Sequence, residues 1–195
     1  MAMSIFRLIV VGWCILLAGV VPAPATIPLE EFTTVAGKVT DRDGEPLVGA
    51  MLVAIGQGPA ISIDNDGSFQ LLLPPGKVRI LAWHAGYSTF VGELDLAVWI
   101  SRVELNVVLE KGADDLGKVM GKVECMPSSS DCRVELPELG LCAYCDTEGN
   151  FNFTDIPPGD WRAVAYCGHF TPQIIEAVSI TPGGSQELNF KFIKY

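Results

Sequence analysis

Beyond residue 25 the chain runs in short apolar segments that stop at Gly, Pro or Asp turn signals. Val103-Glu104-Leu105-Asn106-Val107 and Glu187-Leu188-Asn189-Phe190-Lys191-Phe192 alternate apolar and polar residues at period two, the pattern of half-buried strands. No stretch keeps a helical period, and only Val91 to Ser101 is ambiguous. Short strands at regular spacing, rich in Val, Ile, Phe and Tyr, predict an all-β sandwich or barrel.

The pattern occurs twice. Gly37-Lys38-Val39 returns as Gly121-Lys122-Val123. Ile63-Asp64-Asn65-Asp66-Gly67-Ser68-Phe69 returns as Cys145-Asp146-Thr147-Glu148-Gly149-Asn150-Phe151, and Leu73-Pro74-Pro75-Gly76 as Ile156-Pro157-Pro158-Gly159. Arg79-Ile80-Leu81-Ala82-Trp83 faces Arg162-Ala163-Val164-Ala165-Tyr166, and the alternating strands above close each copy. Landmarks in one order predict two tandem modules. Asp-x-x-Gly between apolar runs is hairpin chemistry, because the carboxylate bonds backbone two residues on and Gly takes positive φ. Pro-Pro-Gly forbids helix and central-strand pairing, so it ends one strand and turns into the next. The boundaries that follow are 26–111 and 118–195, joined by 112–117. That joint is short and polar, so the modules touch or pivot over a limited range.

Residues 1–25 read as a targeting segment. Arg7 is its one charge, Leu8 to Val21 is unbroken apolar sequence, and Ala23-Pro24-Ala25 supplies a cleavage pattern. The run is shorter than the roughly 20 residues of a membrane span. The alternative is an uncleaved N-terminal anchor, the one case that brings a membrane into the picture. Net charge −10 argues against nucleic acid and anionic membrane partners, which need a basic footprint.

At these residues the sequence resembles the carboxypeptidase regulatory-like domain, a transthyretin-like and carbohydrate-binding-like module. The first copy carries the pattern in Gly37-Lys38-Val39, Pro46-Leu47-Val48-Gly49-Ala50, Asp64 to Phe69, Leu73-Pro74-Pro75-Gly76 and Gly86-Tyr87. It departs at Val78, where the family prefers an aromatic; the second copy has Trp161 there. The second copy replaces the Pro-x-x-Gly-Ala element by a Cys- and Ser-rich stretch and has His169-Phe170 for Gly-Tyr. The resemblance implies two tandem Greek-key (transthyretin/Ig-like) β-sandwiches, modules of a kind that is usually non-catalytic and sits beside enzymes or on surfaces.

No catalytic constellation is legible. The two histidines, His84 and His169, stand in no zinc-peptidase motif, and no nucleophile elbow exists. We read His84 as a packed imidazole, Trp161 as core, and the chain as no enzyme. No cofactor is expected, and calcium is the one candidate ion. Asp41 and Asp43, and Asp64 and Asp66, place carboxylates at i and i+2 in turns, as Ca²⁺ prefers; an Asx turn explains the same residues without metal. Trp83 and Tyr166 occupy one repeat position and point away from their own cores. They stack on a carbohydrate ring or a partner, or they fill a contact between modules. Trp99 lies in the ambiguous segment and has no assigned place.

Five cysteines lie after residue 25, all in the second copy. Export makes disulfides the default, and the odd number leaves one thiol. Cys125 and Cys132 flank one loop and can clamp it, and Cys145 and Cys167 fall at inward positions where a bridge would staple the core, which leaves Cys142 unpaired; the sequence leaves the connectivity itself open. Cys142-Ala143-Tyr144-Cys145 is formally Cys-x-x-Cys, but on a strand those positions face opposite ways. Asn152-Phe153-Thr154 is a glycosylation acceptor in a eukaryotic host. The function these features support is a secreted, periplasmic or cell-surface binding or structural protein whose partner is a polysaccharide or an extracellular protein. The rival is a docking scaffold for an extracytoplasmic enzyme or envelope complex.

Overall fold

The computed structural model describes residues 32–112, 115–126 and 131–193. Residues 1–25, expected to be a targeting segment, and residues 113 and 114 of the expected joint lie outside the described residues. Every regular element described is a strand. The first module contains β1 (Thr33–Thr40), β2 (Met51–Ala54), β3 (Ile61–Ser62), β4 (Ser68–Leu73), β5 (Gly76–Trp83), β6 (Phe90–Leu96), β7 (Arg102–Glu104) and β8 (Val107–Val108). One sheet has the order β4-β1-β7, with β8 also on β1; the other has the order β3-β2-β5-β6. The second module contains β9 (Gly117–Met126), β10 (Cys132–Leu136), β11 (Leu141–Tyr144), β12 (Asn150–Ile156), β13 (Gly159–Cys167), β14 (Gln173–Ile180) and β15 (Ser185–Ile193). Its sheets are β12-β9-β15 and β11-β10-β13-β14. First and last strands pair parallel in both copies, and the other pairs are antiparallel. Two sheets face one another in each copy, as the repeat predicts. The ambiguous Val91–Ser101 segment is β6 followed by a turn, not a helix.

The repeated turn signals act as their chemistry requires. The Gly67 N–H donates to the Asp64 carbonyl at 3.0 Å, and that of Gly149 to the Asp146 carbonyl at 3.0 Å. Both glycines hold positive φ, +77° and +86°. Each Pro-Pro-Gly lies where the chain leaves one sheet for the other, between β4 and β5 and between β12 and β13.

The tripeptide Gly-Lys-Val has a partner that the alternation alone does not reveal, the Glu-Leu-Asn of the closing strand. A Cβ on Gly37 would lie 1.8 Å from the Leu105 carbonyl oxygen, and one on Gly121 1.7 Å from that of Leu188. Asn106 Oδ1 accepts from the Lys38 N–H at 3.1 Å, and Asn189 Oδ1 from the Lys122 N–H at 3.2 Å. The two amide groups donate in turn to Glu104 and Glu187, each at 3.1 Å. The two landmarks are the halves of one contact, made twice.

Each module has its own core. Val35, Val39, Leu52, Ile80, Ala82 and Leu96 are fully buried in the first, and Val119, Val134, Phe151, Phe153, Trp161 and Phe192 are buried in the second. Strand β5 is buried on both faces from Ile80 onward. Ile80 and Ala82 face their own core, whereas Leu81 and Trp83, with Val53, belong to the apolar cluster of the second module. The joint therefore does more than touch. Gly140 fits so closely against Pro59 that a Cβ would lie 2.3 Å from the Pro59 Cα. The Gly56 N–H donates to the Glu138 carbonyl at 3.3 Å. Asp115 accepts from the Thr89 N–H and Oγ1, both at 3.1 Å, and its carbonyl accepts from the Gly183 N–H at 3.1 Å. One linker residue thus binds both modules.

Candidate functional site

The outer face of the sheet that holds β5 in the first copy and β13 in the second distinguishes the two copies. Met51 pairs with Trp83 in the first, and Arg133 pairs with Tyr166 in the second, so Met51 corresponds to Arg133 and Trp83 to Tyr166. By the same register Val53 corresponds to Glu135 and Leu81 to Val164. In the first module this face is apolar and the second module covers it. Trp83 is 2% exposed. The expectation that its indole offers a stacking face to a sugar is corrected: it points away from its own core, and the neighbouring module occupies that space.

In the second module Val164 stays buried, but the rest of the same face reaches solvent. Tyr144 and Tyr166 both pair with Arg133, one from each neighbouring strand. Tyr144 is 76% exposed, and Tyr166 is half-buried with the Arg133 guanidinium 4.1 Å from its ring centroid. Glu135 Oε1 accepts from Arg133 Nε at 2.7 Å; this hydrogen bond holds the guanidinium protonated more firmly than usual. Opposite Glu135 lies the exposed Cys142. Partial burial first, and the Glu135 charge second, push its thiol up from the ordinary 9.0, so it is a thiol and a poor nucleophile at neutral pH. The result is a Tyr–Arg–Tyr row on rigid strands. The sequence reading found Tyr166 but passed over Tyr144, whose signal was a large aromatic two residues after an outward-facing cysteine.

The four bridged cysteines are the expected four, in a different pairing. Cys125 joins Cys167, with Cα atoms 6.3 Å apart, and Cys132 joins Cys145, with Cα atoms 5.5 Å apart. The candidate Cys125–Cys132 and Cys145–Cys167 bridges are corrected by strand order. Strand β10 lies between β11 and β13, which leaves Cys145 and Cys167 two strands apart. At about 4.8 Å per strand that span exceeds the reach of a disulfide. Cys132–Cys145 closes the β10–β11 hairpin, and Cys125–Cys167 ties one sheet to the other. Cys142 is free.

The acidic turns are built differently from a metal loop. Asp41 is buried, and its Oδ1 accepts from the Asp43 and Glu45 N–H groups at 2.9 and 3.0 Å. Asp66 Oδ1 accepts from the Ser68 N–H at 3.1 Å and from its hydroxyl at 2.6 Å. Asp146, the counterpart of Asp64 in the repeat, accepts from the Glu148 and Asn150 N–H groups at 2.9 and 2.8 Å. These bonds hold the carboxyls below the ordinary 3.8: the Glu45 backbone bond first for Asp41, the Ser68 hydroxyl for Asp66, the Asn150 side chain for Asp146. Asp43 and Asp64 are exposed. Among the described residues no three His, Cys, Asp or Glu side chains gather as metal ligands. His84 is half-buried, with Nδ1 2.9 Å from the Ala85 carbonyl and its ring edge-on to Tyr87; His169 is exposed. Trp161 lies in the core and donates to the Pro157 carbonyl at 2.9 Å. Asn152 and Thr154 are exposed on β12.

Residues 34–110 match the carboxypeptidase regulatory-like domain, which covers most of the first module and about two fifths of the chain. Among curated proteins, none matches the sequence. Solved structures similar to this chain include the Bacillus anthracis TIE protein, 14% identical over 83% of this chain and 34% of that one, with a TM-score of 0.36. A streptococcal ancillary pilin is 18% identical over 83% of this chain and 62% of that one, with a TM-score of 0.35. A putative adhesin from Bacteroides ovatus ATCC 8483 is 10% identical over 91% of this chain and 99% of that one, with a TM-score of 0.31. The chain spans about a third of the length of the first of these and three fifths of the second.

Proposed function

We propose that this chain is an exported, non-catalytic protein of the cell envelope or its exterior, and that the outer face of its second module binds polysaccharide through Tyr144, Arg133 and Tyr166. One observation carries the reading. The same sheet face is apolar and covered in the first copy, but in the second it presents two tyrosines flanking a guanidinium to water. Aromatic rings stack on the apolar faces of sugar rings, while Arg133 and Glu135 supply donors and acceptors for hydroxyls. Two disulfides support an oxidising compartment, in keeping with residues 1–25 as an export signal.

Retention on insoluble polysaccharides, or a glycan array, tests it. Binding by the wild-type chain that falls at least tenfold in Tyr144→Ala and Tyr166→Ala supports the site. Trp83→Ala is not a binding variant, since its indole is out of a ligand's reach. No retention on any polysaccharide, together with capture by an extracellular enzyme or envelope protein, favours the docking scaffold instead.

A further inference from the structure

Exposed apolar side chains also gather at one pole of the first module. Thr33 pairs with Leu73, Thr34 with Leu72 and Arg102, and Gly76 with Leu96, which brings the start of β1, the Pro-Pro-Gly turn and the β6–β7 turn to one end. In that last turn Trp99 is 82% exposed and Val98 63%; Leu72, nearby on β4, is 55% exposed. Thr33 Oγ1 donates to the Ile100 carbonyl at 2.6 Å, and the Thr34 N–H to the Ser101 carbonyl at 2.9 Å. The turn is thus bonded to the place where the chain enters the fold. Upstream of that entry lies the apolar run Leu8 to Val21, separated from Phe32 by residues 22–31. A connection of that length reaches at most about 35 Å when extended.

Charge is mixed at this pole: Lys77 pairs with Glu93 at 3.6 Å and stands opposite Asp95, and Arg102 lies beside Thr34. A tryptophan with an aliphatic neighbour at a loop tip suits the boundary between lipid headgroups and acyl chains, where its ring is apolar and its N–H stays wet.

We infer that the Val98–Trp99 turn, with Leu72 behind it, seats in the interface of a bilayer that holds the apolar N-terminal run. The inference rests on that run staying attached, the anchor reading of residues 1–25. The chain's charge of −10 directs it to zwitterionic lipid. The full chain carrying Trp13→Phe is reconstituted with phosphatidylcholine vesicles whose lipid is brominated at a shallow acyl position. Trp83 and Trp161, 2% and 7% exposed, lie out of the quencher's reach. Tryptophan quenching that disappears when Trp99→Phe is added is the expected result. A chain that does not float with the vesicles overturns the anchor reading and the inference with it. A chain that floats but is quenched equally with and without Trp99 overturns the turn contact alone. Protection of Trp99 from aqueous quenchers that depends on protein concentration rather than lipid assigns the turn to a second copy and also overturns it.

Discussion

Gly37 and Gly121 sit under the carbonyl of a neighbouring strand, so a single methyl group meets backbone that cannot move aside. Gly37→Ala and Gly121→Ala are expected to destabilise the protein by about 3 kcal/mol each, seen as a lowered urea midpoint. The carboxylates of Asp41, Asp66 and Asp146 make a second prediction. Their folded values are depressed, so their stabilisation is fully present above the ordinary carboxylate value of 3.8 and is lost as pH falls through the lower folded values. The thermal midpoint should be flat near neutrality and fall below about pH 4. Asp146→Asn, which keeps an acceptor in the turn but removes the titration, should shrink that acid limb. Turn residues were legible because their chemistry is local: an Asx carboxylate and a positive-φ glycine act within a few positions of each other. The Glu-Leu-Asn contact was not, because it joins residues 67 or 68 positions apart.

At the scale of strands, alternation located most elements and even gave the direction of Trp83, away from its own core. Order within a sheet was beyond it. Which strand lies beside which depends on how the chain crosses between sheets, and the candidate cysteine pairing failed for that reason. The two bridges also differ in what they constrain. Cys125–Cys167 closes 42 residues and joins opposite sheets; Cys132–Cys145 closes 13 within one hairpin. Loop-closure entropy gives about 4 kcal/mol for the first and about 3 kcal/mol for the second. Replacing each pair by alanine should therefore lower the denaturant midpoint more for the first. Peptide mapping without reduction should recover both bridges, and the native protein should expose the Cys142 thiol alone among these five. Recovery of Cys145–Cys167 would contradict the strand order described.

For the whole molecule, the joint decides whether the modules unfold together. Trp83, Leu81 and Val53 complete the apolar cluster of the neighbouring module, and Asp115 bonds both sides. One calorimetric transition is expected for the wild-type chain. Trp83→Ala should cost about 3–5 kcal/mol and split that transition in two, one for each module. The joint was the least legible part of the sequence, since a short polar linker describes a hinge and a fixed contact equally well. Its fit also gives the array a direction. The second module has Arg133 and Glu135 where its neighbour has Met51 and Val53, so only the first copy offers an apolar face for another module to cover. The genetic order of the copies is consequently not interchangeable: a chain built in reverse would end on the bare indole of Trp83, and a third copy appended to the natural order would find no dry surface to receive it.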